Sequence, residues 1–420
     1  MDSRVSWKNV AVILVIVVIV GGLFVFVAQR LMSGVKTNVL SGQETTSSKG
    51  VGVSDTETAG GAARHDGIAT GKIFYSGSTL NNNIFSYDTK TGETVQWTNY
   101  PQQKEDADGN LDGPFHDLDN IKVIDENTLG FGGDNILADD SGEGIYTLDL
   151  RTKMITEKKR LDKDMQLSSL DFTSTDRFVY AVVVDDPEGM QLWEVSLMEN
   201  GSVKNIQERT KTGNVSVEAQ FSPDGKYVAA ELSGEGVGSN VFLYNLANGS
   251  RQVIADVWSP VWIDNVTIGY MGANKDRDGN LPSPYYYYEY TINTQTVKSK
   301  TEAGAPKFDA SPLKGEGKML YSVYDDAQVW LYDLNTQTRS KVLDNAISGV
   351  WVTPTVIAVK NVVKTCDDEA KNYQDQCGFP TGDYDVVSID IFDLASNTKI
   401  GTMSGDWSEG GDEMTSLYEQ

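Results

Sequence analysis

The sequence predicts an all-β fold: a seven-bladed β-propeller of four-stranded blades, preceded by one N-terminal transmembrane helix and a flexible linker. The first observation is a repeat, in which an apolar and aromatic run ends at a small polar residue and a Thr/Asn/Gln-rich turn follows. Its clearest copy is VWLYDLNTQTRSK, starting at Val329. The repeat positions are Asp88, Asp149, Ser196, Asn245, Thr291, Asp333 and Asp393, between 42 and 61 residues apart. A period in the forties with several short strands per unit is typical of propeller blades.

The second observation is a nearly unbroken apolar run without charges near the N-terminus, from Val10 to Ala28. At 1.5 Å per residue it spans about 28 Å, close to the hydrocarbon thickness of a bilayer. The run is longer than a signal-peptide core, and no A-x-A-like cleavage site follows it. We therefore expect residues 1–9 to be a short tail and residues 10–32 to be an uncleaved signal anchor.

The third observation is the composition of residues 33–66, which are rich in Gly, Ser, Thr and Ala and contain no Phe, Trp or Tyr. Such a segment buries too little apolar area to offset its ordering entropy. It predicts a disordered linker that leads to a propeller over residues 67–410 and a C-terminal tail over residues 411–420. The short leading tail and the cysteine pair favour a propeller outside the cytoplasm, periplasmic or on the cell surface.

One complete unit is readable from Val217 to Ile254. Its first strand ends at Phe221, the turn SPDG follows, and KYVAAE alternates as a second strand. VFLYNL is the third strand, and an Asn-Gly turn leads to RQVI as the fourth. Because both faces of VFLYNL are largely apolar, we expect this strand to lie between neighbouring blades.

The stretch QFSPDGKYVAAELS in this unit resembles the repeat of TolB-type and related WD-like β-propellers. The likeness covers about Gly71 to Gly401. It implies the propeller fold and a role in complexes of the cell envelope.

The first blade lacks a first strand of its own in the sequence. GKIFYSG, from Gly71, corresponds to KYVAAE, and only the linker precedes it. We expect the missing strand to come from the tail near Gly405–Gly410 or from the linker end near Ile68.

The charge balance excludes nucleic acid as a partner. The formal net charge is −25, from 60 acidic and 35 basic side chains, whereas nucleic acid is bound through Lys and Arg. The acidic surface either keeps the protein soluble or attracts divalent cations and basic partners.

Two acidic turns share the pattern D-x-D-G-N-L-x-x-P and are the candidate metal sites. Alternating carboxylates before a Gly resemble the early part of an EF-hand loop and suit Ca²⁺, although the closing Glu is missing from both turns. Asp, Asn and Gly also form plain turns, so both interpretations stay open. The candidate ligands are Asn274, Asp276, Asp278 and Asn280 in one turn and Asp106, Asp108, Asn110 and Asp112 in the other.

The two cysteines, Cys366 and Cys377, flank a polar stretch that is typical of a loop. Outside the cytosol they predict a disulfide, and inside it two free thiols. With His65 and His116 as the two histidines, a four-ligand zinc site is not indicated.

Aromatic residues are predicted to pack between blades. PYYYYEY (Pro284–Tyr290) invites a sugar-stacking interpretation, but it occupies the position of a third strand, where aromatics are favoured anyway. The same holds for the tryptophans expected in third strands (Trp193, Trp330) and in first strands (Trp258, Trp262, Trp351).

The sequence carries no G-x-S-x-G, H-E-x-x-H, phosphate loop or G-x-G-x-x-G motif, and it marks no nucleophile to partner His116. We assign no catalytic residue and no cofactor other than the possible Ca²⁺. The predicted function is a membrane-tethered, non-catalytic binding or scaffold module for an envelope protein or a cell-wall glycan. The alternative is an envelope hydrolase or lyase acting on glycans or peptides at the channel, with carboxylates that no motif marks.

Overall fold

The computed structural model describes the strands of the predicted propeller and most of their short turns. The chain divides into two compact units, Met1–Ser48 and Lys49–Gln420, and every described residue belongs to the second. The described residues are 51–52, 70–77, 83–100, 104–105, 111–112, 117–134, 136–137, 142–185, 191–212, 215–234, 238–273, 285–299, 310–313, 316–323, 327–364, 384–403 and 414–415. Residues 10–32, the predicted anchor, lie outside them. Within these ranges no helix has the length and apolar character needed to cross a membrane.

The described secondary structure consists of β-strands. In chain order they are β1 (Val51–Gly52), β2 (Lys72–Gly77), β3 (Asn83–Asp88), β4 (Thr94–Gln96), β5 (Lys104–Glu105), β6 (Leu111–Asp112), β7 (Asp117–Asp125), β8 (Thr128–Asp134), β9 (Glu143–Asp149), β10 (Met154–Arg160), β11 (Met165–Ser174), β12 (Arg177–Asp185), β13 (Gln191–Glu199), β14 (Ser202–Thr212), β15 (Val215–Phe221), β16 (Tyr227–Gly234), β17 (Gly238–Asn245), β18 (Arg251–Ala255), β19 (Val257–Trp262), β20 (Thr267–Ala273), β21 (Tyr285–Thr291), β22 (Thr296–Ser299), β23 (Ala310–Leu313), β24 (Lys318–Val323), β25 (Gln328–Asp333), β26 (Thr338–Asp344), β27 (Ala346–Thr353), β28 (Val356–Lys364), β29 (Tyr384–Asp393), β30 (Thr398–Met403) and β31 (Met414–Thr415).

Seven antiparallel sheets form the blades, which confirms the predicted seven-bladed propeller of four-stranded blades. Blade 1 has the strand order β31-β2-β3-β4, and blades 2 to 7 begin with β7, β11, β15, β19, β23 and β27. In each of these six blades the four strands follow one another along the chain. A separate two-stranded hairpin, β5–β6, precedes blade 2.

The C-terminal tail closes the ring, as one of the two sequence-based alternatives proposed. Met414 pairs with Tyr75 and Thr415 with Phe74, so β31 serves as the first strand of blade 1. We expected this strand near Gly405–Gly410, and it lies a few residues further along the chain. It therefore lies beyond residue 410, the predicted end of the propeller.

Two residues of the range predicted as linker also pair with the propeller. Val51 and Gly52 lie opposite Ile155 and Met154, and they add a fifth strand at the outer edge of blade 2. The other linker residues lie outside the described part of the chain.

The core consists of apolar layers between neighbouring blades. Seven clusters of buried side chains are described, and each joins residues of two adjacent blades. In the third strand of blade 4, Val241 and Leu243 pack toward blade 5, whereas Tyr244 packs toward blade 3. Strands such as VFLYNL therefore carry apolar side chains on both faces, as the sequence predicted.

The repeated Asp or Asn stabilises the turn between the third and fourth strands. The Oδ1 atom of Asp333 accepts the backbone N–H groups of Asn335 and Thr336 at 2.9 and 2.8 Å. This is an Asx-turn, and the N–H of Thr336 is the largest cause that lowers the pKa of Asp333. Equivalent side-chain-to-backbone bonds occur at Asp88, Asp149, Asn245 and Asp393.

Candidate functional site: a polar cavity in the central channel

A cavity of about 740 Å³ is lined by the first strands of six blades, the strands that surround the central channel of a propeller. Its wall comes from the first strands of blades 2 to 6 and from Thr415 of β31. The lining residues include Ser222 and Pro223, directly after β15. The cavity therefore lies toward the end of the ring where first strands turn into second strands.

The two sides of the cavity differ in chemistry. Blades 2 to 4 contribute charged and polar side chains, among them Lys122, Asp171 and Glu218. Blades 5 and 6 contribute small or apolar residues, such as Pro260 and Ala310. A ligand in this cavity would meet hydrogen-bonding groups on one side and an apolar surface on the other.

Side chains of blade 3 hold the first strand of blade 4 in place. The N–H groups of Val217, Ala219 and Phe221 point to the inner edge of β15, where no further strand pairs with it. They donate to Ser168 Oγ (3.0 Å), Ser169 Oγ (2.7 Å) and Asp171 Oδ2 (2.7 Å), respectively. Because unpaired buried backbone donors are costly, these side chains have a clear structural role in the channel wall.

The junction between blades 4 and 5 is held differently. Gln220 Nε2 donates to the carbonyl oxygen of Pro260 at 2.5 Å. The N–H of Ser259 donates to Glu231 Oε2 at 2.7 Å. Ser259 has a φ of 50° and lies in an irregularity of the pairing between Trp258 and Val261, so a carboxylate of blade 4 fixes a bulge in the first strand of blade 5.

Glu231 and Glu218 form a carboxyl pair beside the cavity. The two residues lie opposite each other on β16 and β15. Glu218 lines the cavity and is exposed, whereas Glu231 is 9% exposed. Burial and the charge of Glu218 raise the pKa of Glu231 to about 7, against the opposing effect of the Ser259 N–H.

Most of the site residues predicted from sequence lie outside the described residues. These are Asn274, Asp276, Asp278, Asn280, Asp106, Asp108, Asn110, Cys366 and Cys377. His116, to which the sequence assigned no role, also lies outside them. Asp112 is in β6, where its backbone pairs with Lys104. Among the residues that the structure does describe, no three His, Cys, Asp or Glu side chains come together to hold a metal ion.

The predicted packing role of the aromatic residues agrees with their burial. Tyr287 of the tyrosine run is 2% exposed and belongs to the layer between blades 5 and 6. Trp193 and Trp351 are 2% and 0% exposed. Trp262 lines the cavity but is 5% exposed, and its indole N–H donates to the Gln220 carbonyl oxygen at 3.4 Å.

Sequence reasoning missed Lys122, Asp171 and Glu218, which line the cavity on its polar side, and Glu231, which is buried beside Glu218. A signal for Glu218 was present, because in VEAQF polar residues alternate with the buried Val217, Ala219 and Phe221. The alternation shows which face is polar. It does not show that this face borders a cavity.

No protein-family model and no curated protein sequence matches this chain. Among solved structures, an oligogalacturonate lyase in complex with manganese is similar, with 11% identity, a TM-score of 0.50, and coverage of 82% of this chain and 85% of that one. TolB from Acinetobacter baumannii is 15% identical with a TM-score of 0.42, over 65% of this chain and 63% of its own length. A prolyl endopeptidase is 13% identical with a TM-score of 0.46, over 79% of this chain and 48% of its own.

The match to the lyase agrees with the propeller fold, and at 11% identity it shows the fold alone. The chain spans less than two thirds of the TolB structure's length. Since one fold hosts many functions, the function has to be argued from the cavity.

Proposed function

We propose that this chain is a membrane-tethered β-propeller outside the cytoplasm that binds an envelope protein or a cell-wall glycan, without catalysis. The observation that carries the proposal is the cavity of about 740 Å³ that the first strands of six blades line. That volume lies within the range of roughly 300–1,000 Å³ that is usual for ligand sites. Its polar and apolar sides suit an amphipathic ligand segment.

The N-terminal sequence supports the placement at a membrane. The apolar run from Val10 to Ala28 is long enough to span a bilayer. The following Gly/Ser/Thr-rich segment would give the propeller reach from the membrane surface.

The wall chemistry favours binding over catalysis. Asp171 accepts two backbone N–H groups, from Phe172 at 2.8 Å and from Phe221 at 2.7 Å. Ser168 and Gln220 are also bonded to backbone groups of neighbouring blades. Side chains that hold the scaffold in this way provide a rigid, preformed surface, which reduces the ordering cost of binding.

The alternative is a hydrolase or lyase that acts on glycans or peptides in the cavity. It is favoured by the convergence of Asp171, Glu218 and Lys122 on one wall, since carboxylates and amines are common general acids and bases. The carboxyl pair of Glu218 and Glu231, in which the pKa of Glu231 is raised to about 7, also favours this alternative.

The proposal is tested by affinity capture with the immobilised full-length chain and a detergent-solubilised envelope of its source organism. Glu218→Lys reverses the charge at the cavity wall. Glu126→Lys is the matched control, because Glu126 is exposed in the turn between β7 and β8. Captured proteins and glycans are identified by mass spectrometry.

We expect one saturable partner that the parent chain and Glu126→Lys retain and Glu218→Lys loses. Release of a chemically altered glycan or peptide by the parent chain would favour the enzyme. Equal capture by all three chains would contradict binding at the cavity.

A further inference from the structure

The carboxyl groups of Glu218 and Glu231 are held close together by the register of blade 4. The residues are direct cross-strand partners on β15 and β16. Such partners project from the same face of a sheet, with Cβ atoms roughly 5 Å apart. One member, Glu218, is exposed at the cavity, while Glu231 is buried behind it.

Glu231 connects this pair to the neighbouring blade. Its Oε2 atom accepts the N–H of Ser259 at 2.7 Å. Ser259 has a left-handed φ of 50°, a conformation that costs energy in a residue other than glycine. The next residue, Pro260, lines the cavity and accepts the Gln220 amide at 2.5 Å. The carboxyl group of Glu231 therefore supports a strained stretch of the cavity wall.

We propose that Glu218 and Glu231 form a proton-binding switch in the channel wall at the junction of blades 4 and 5. With one proton on the pair, the wall carries one negative charge and the junction is held firmly. When that proton leaves, Glu231 becomes a buried carboxylate opposite the carboxylate of Glu218. Burial and repulsion outweigh the stronger bond that the ionised group accepts from the Ser259 N–H. The junction between the blades therefore weakens, and a second negative charge stands beside the cavity.

The surroundings of Glu231 support this assignment. Burial is the largest cause that raises its pKa to about 7, and the charge of Glu218 is the second. On the other strand next to it, Val241 of β17 lies opposite Glu231 and carries no charge. From β19 the contact is the Ser259 N–H, which lowers the pKa. Among the strands that pack against Glu231, the charged group that acts on it is therefore Glu218.

The direction of the pH effect follows from the raised pKa. The folded chain binds this proton more tightly than an unfolded chain, in which the pKa is 4.5. The stabilisation is therefore complete below pH 4.5 and is lost as the pH rises through about 7. The switch would operate between mildly acidic and mildly alkaline conditions.

The test compares thermal unfolding of the full-length chain between pH 5 and pH 8.5 with that of three variants. Glu231→Gln removes the buried proton site and Glu218→Gln removes its charged neighbour. Glu126→Gln, at an exposed position, is the matched control. We expect the parent chain and the control to lose several degrees of Tm as the pH rises, and Glu231→Gln to lose clearly less. In Glu218→Gln the pKa of Glu231 is no longer raised by a neighbouring charge, so the loss of Tm should be smaller and should occur at lower pH. The same pH dependence in the parent chain and Glu231→Gln would overturn the proposal.

A second measurement does not depend on the folding of Glu231→Gln. Amide hydrogen exchange of Ser259, corrected for its intrinsic pH dependence, reports the junction directly. We expect its protection in the parent chain to fall about tenfold or more from pH 6 to pH 8, since one pKa unit corresponds to a factor of ten. In Glu218→Gln the fall should be smaller. Constant protection of Ser259 in the parent chain would refute the switch.

Discussion

Removing β31 should destabilise the propeller, because this two-residue strand closes the ring. Deletion of residues 411–420 leaves the inner edge of β2 without a partner. An antiparallel pair of this length supplies about two ladder hydrogen bonds, each worth about 1 kcal/mol net. Thr415 is 4% exposed, and Met414 packs against the layer between blades 7 and 1. Their lost burial adds about 1 kcal/mol or more.

The free energy of unfolding should therefore fall by about 3 kcal/mol. At about 2 °C per kcal/mol for a domain of this size, Tm should fall by about 6 °C. Differential scanning calorimetry of the full-length and shortened chains measures it. A second deletion, of residues 416–420, leaves both β31 residues in place and should keep Tm close to that of the full-length chain. If deletion of 411–420 shifts Tm by less than about 1 °C, the ring does not depend on the tail and this reasoning is refuted.

Three further predictions concern a blade turn, a buried glycine and the acidic turns. Asp88→Ala removes the acceptor of two turn N–H groups and should cost about 1 kcal/mol in chemical unfolding. Because turn N–H groups and a neighbouring ammonium lower the Asp88 pKa despite its partial burial, this stabilisation is present above pH 3.8 and should fade as the pH falls below it. Gly269→Ala places a Cβ against the buried Tyr287 ring and hydroxyl, which should cost about 1–3 kcal/mol, measured by urea unfolding. If the acidic turns bind Ca²⁺, millimolar Ca²⁺ should raise Tm, and Asp276→Ala combined with Asp278→Ala should abolish the rise.

Each of these predictions has a control. Glu126→Ala, at an exposed turn, should leave stability unchanged where Asp88→Ala lowers it. In Gly272→Ala the added Cβ would lie 3.3 Å from its nearest neighbours, so this variant should lose less stability than Gly269→Ala. Equal losses of stability in the two variants would contradict the packing argument. Mg²⁺ at the same concentration controls for ionic strength, and a Tm that Ca²⁺ does not move would exclude a stabilising site.

The fold was largely predictable because the blade repeat leaves local signals. Five of the seven repeat positions carry an Asp or Asn that ends a third strand and accepts N–H groups of the following turn, so the repeat is largely a consequence of turn chemistry. These residues are Asp88, Asp149, Asn245, Asp333 and Asp393. In blade 5 the position is Thr291, which also ends its strand, whereas in blade 3 the predicted position and the strand end differ. There β13 continues to Glu199, and Ser196, the predicted equivalent, pairs in the middle of the strand. Without an Asp or Asn to mark the turn, the repeat was placed three residues too early.

The cavity could not be predicted because its wall depends on contacts between distant parts of the sequence. Asp171 and Phe221 are 50 residues apart, and Glu231 and Ser259 are 28 apart. The raised pKa of Glu231 requires both its burial and its register with Glu218. Neither is visible in the run KYVAAE, which reads as an ordinary second strand. The two-residue β31 is too short to leave any periodic signal.

The central claim is that the cavity wall contacts the ligand. It is tested most directly by hydrogen exchange of the full-length chain with and without the partner captured from the detergent-solubilised envelope. We expect increased protection in the first strands of blades 2 to 4, at residues 117–125, 165–174 and 215–221. Protection confined to the outer strands, with these three segments unchanged, would contradict it.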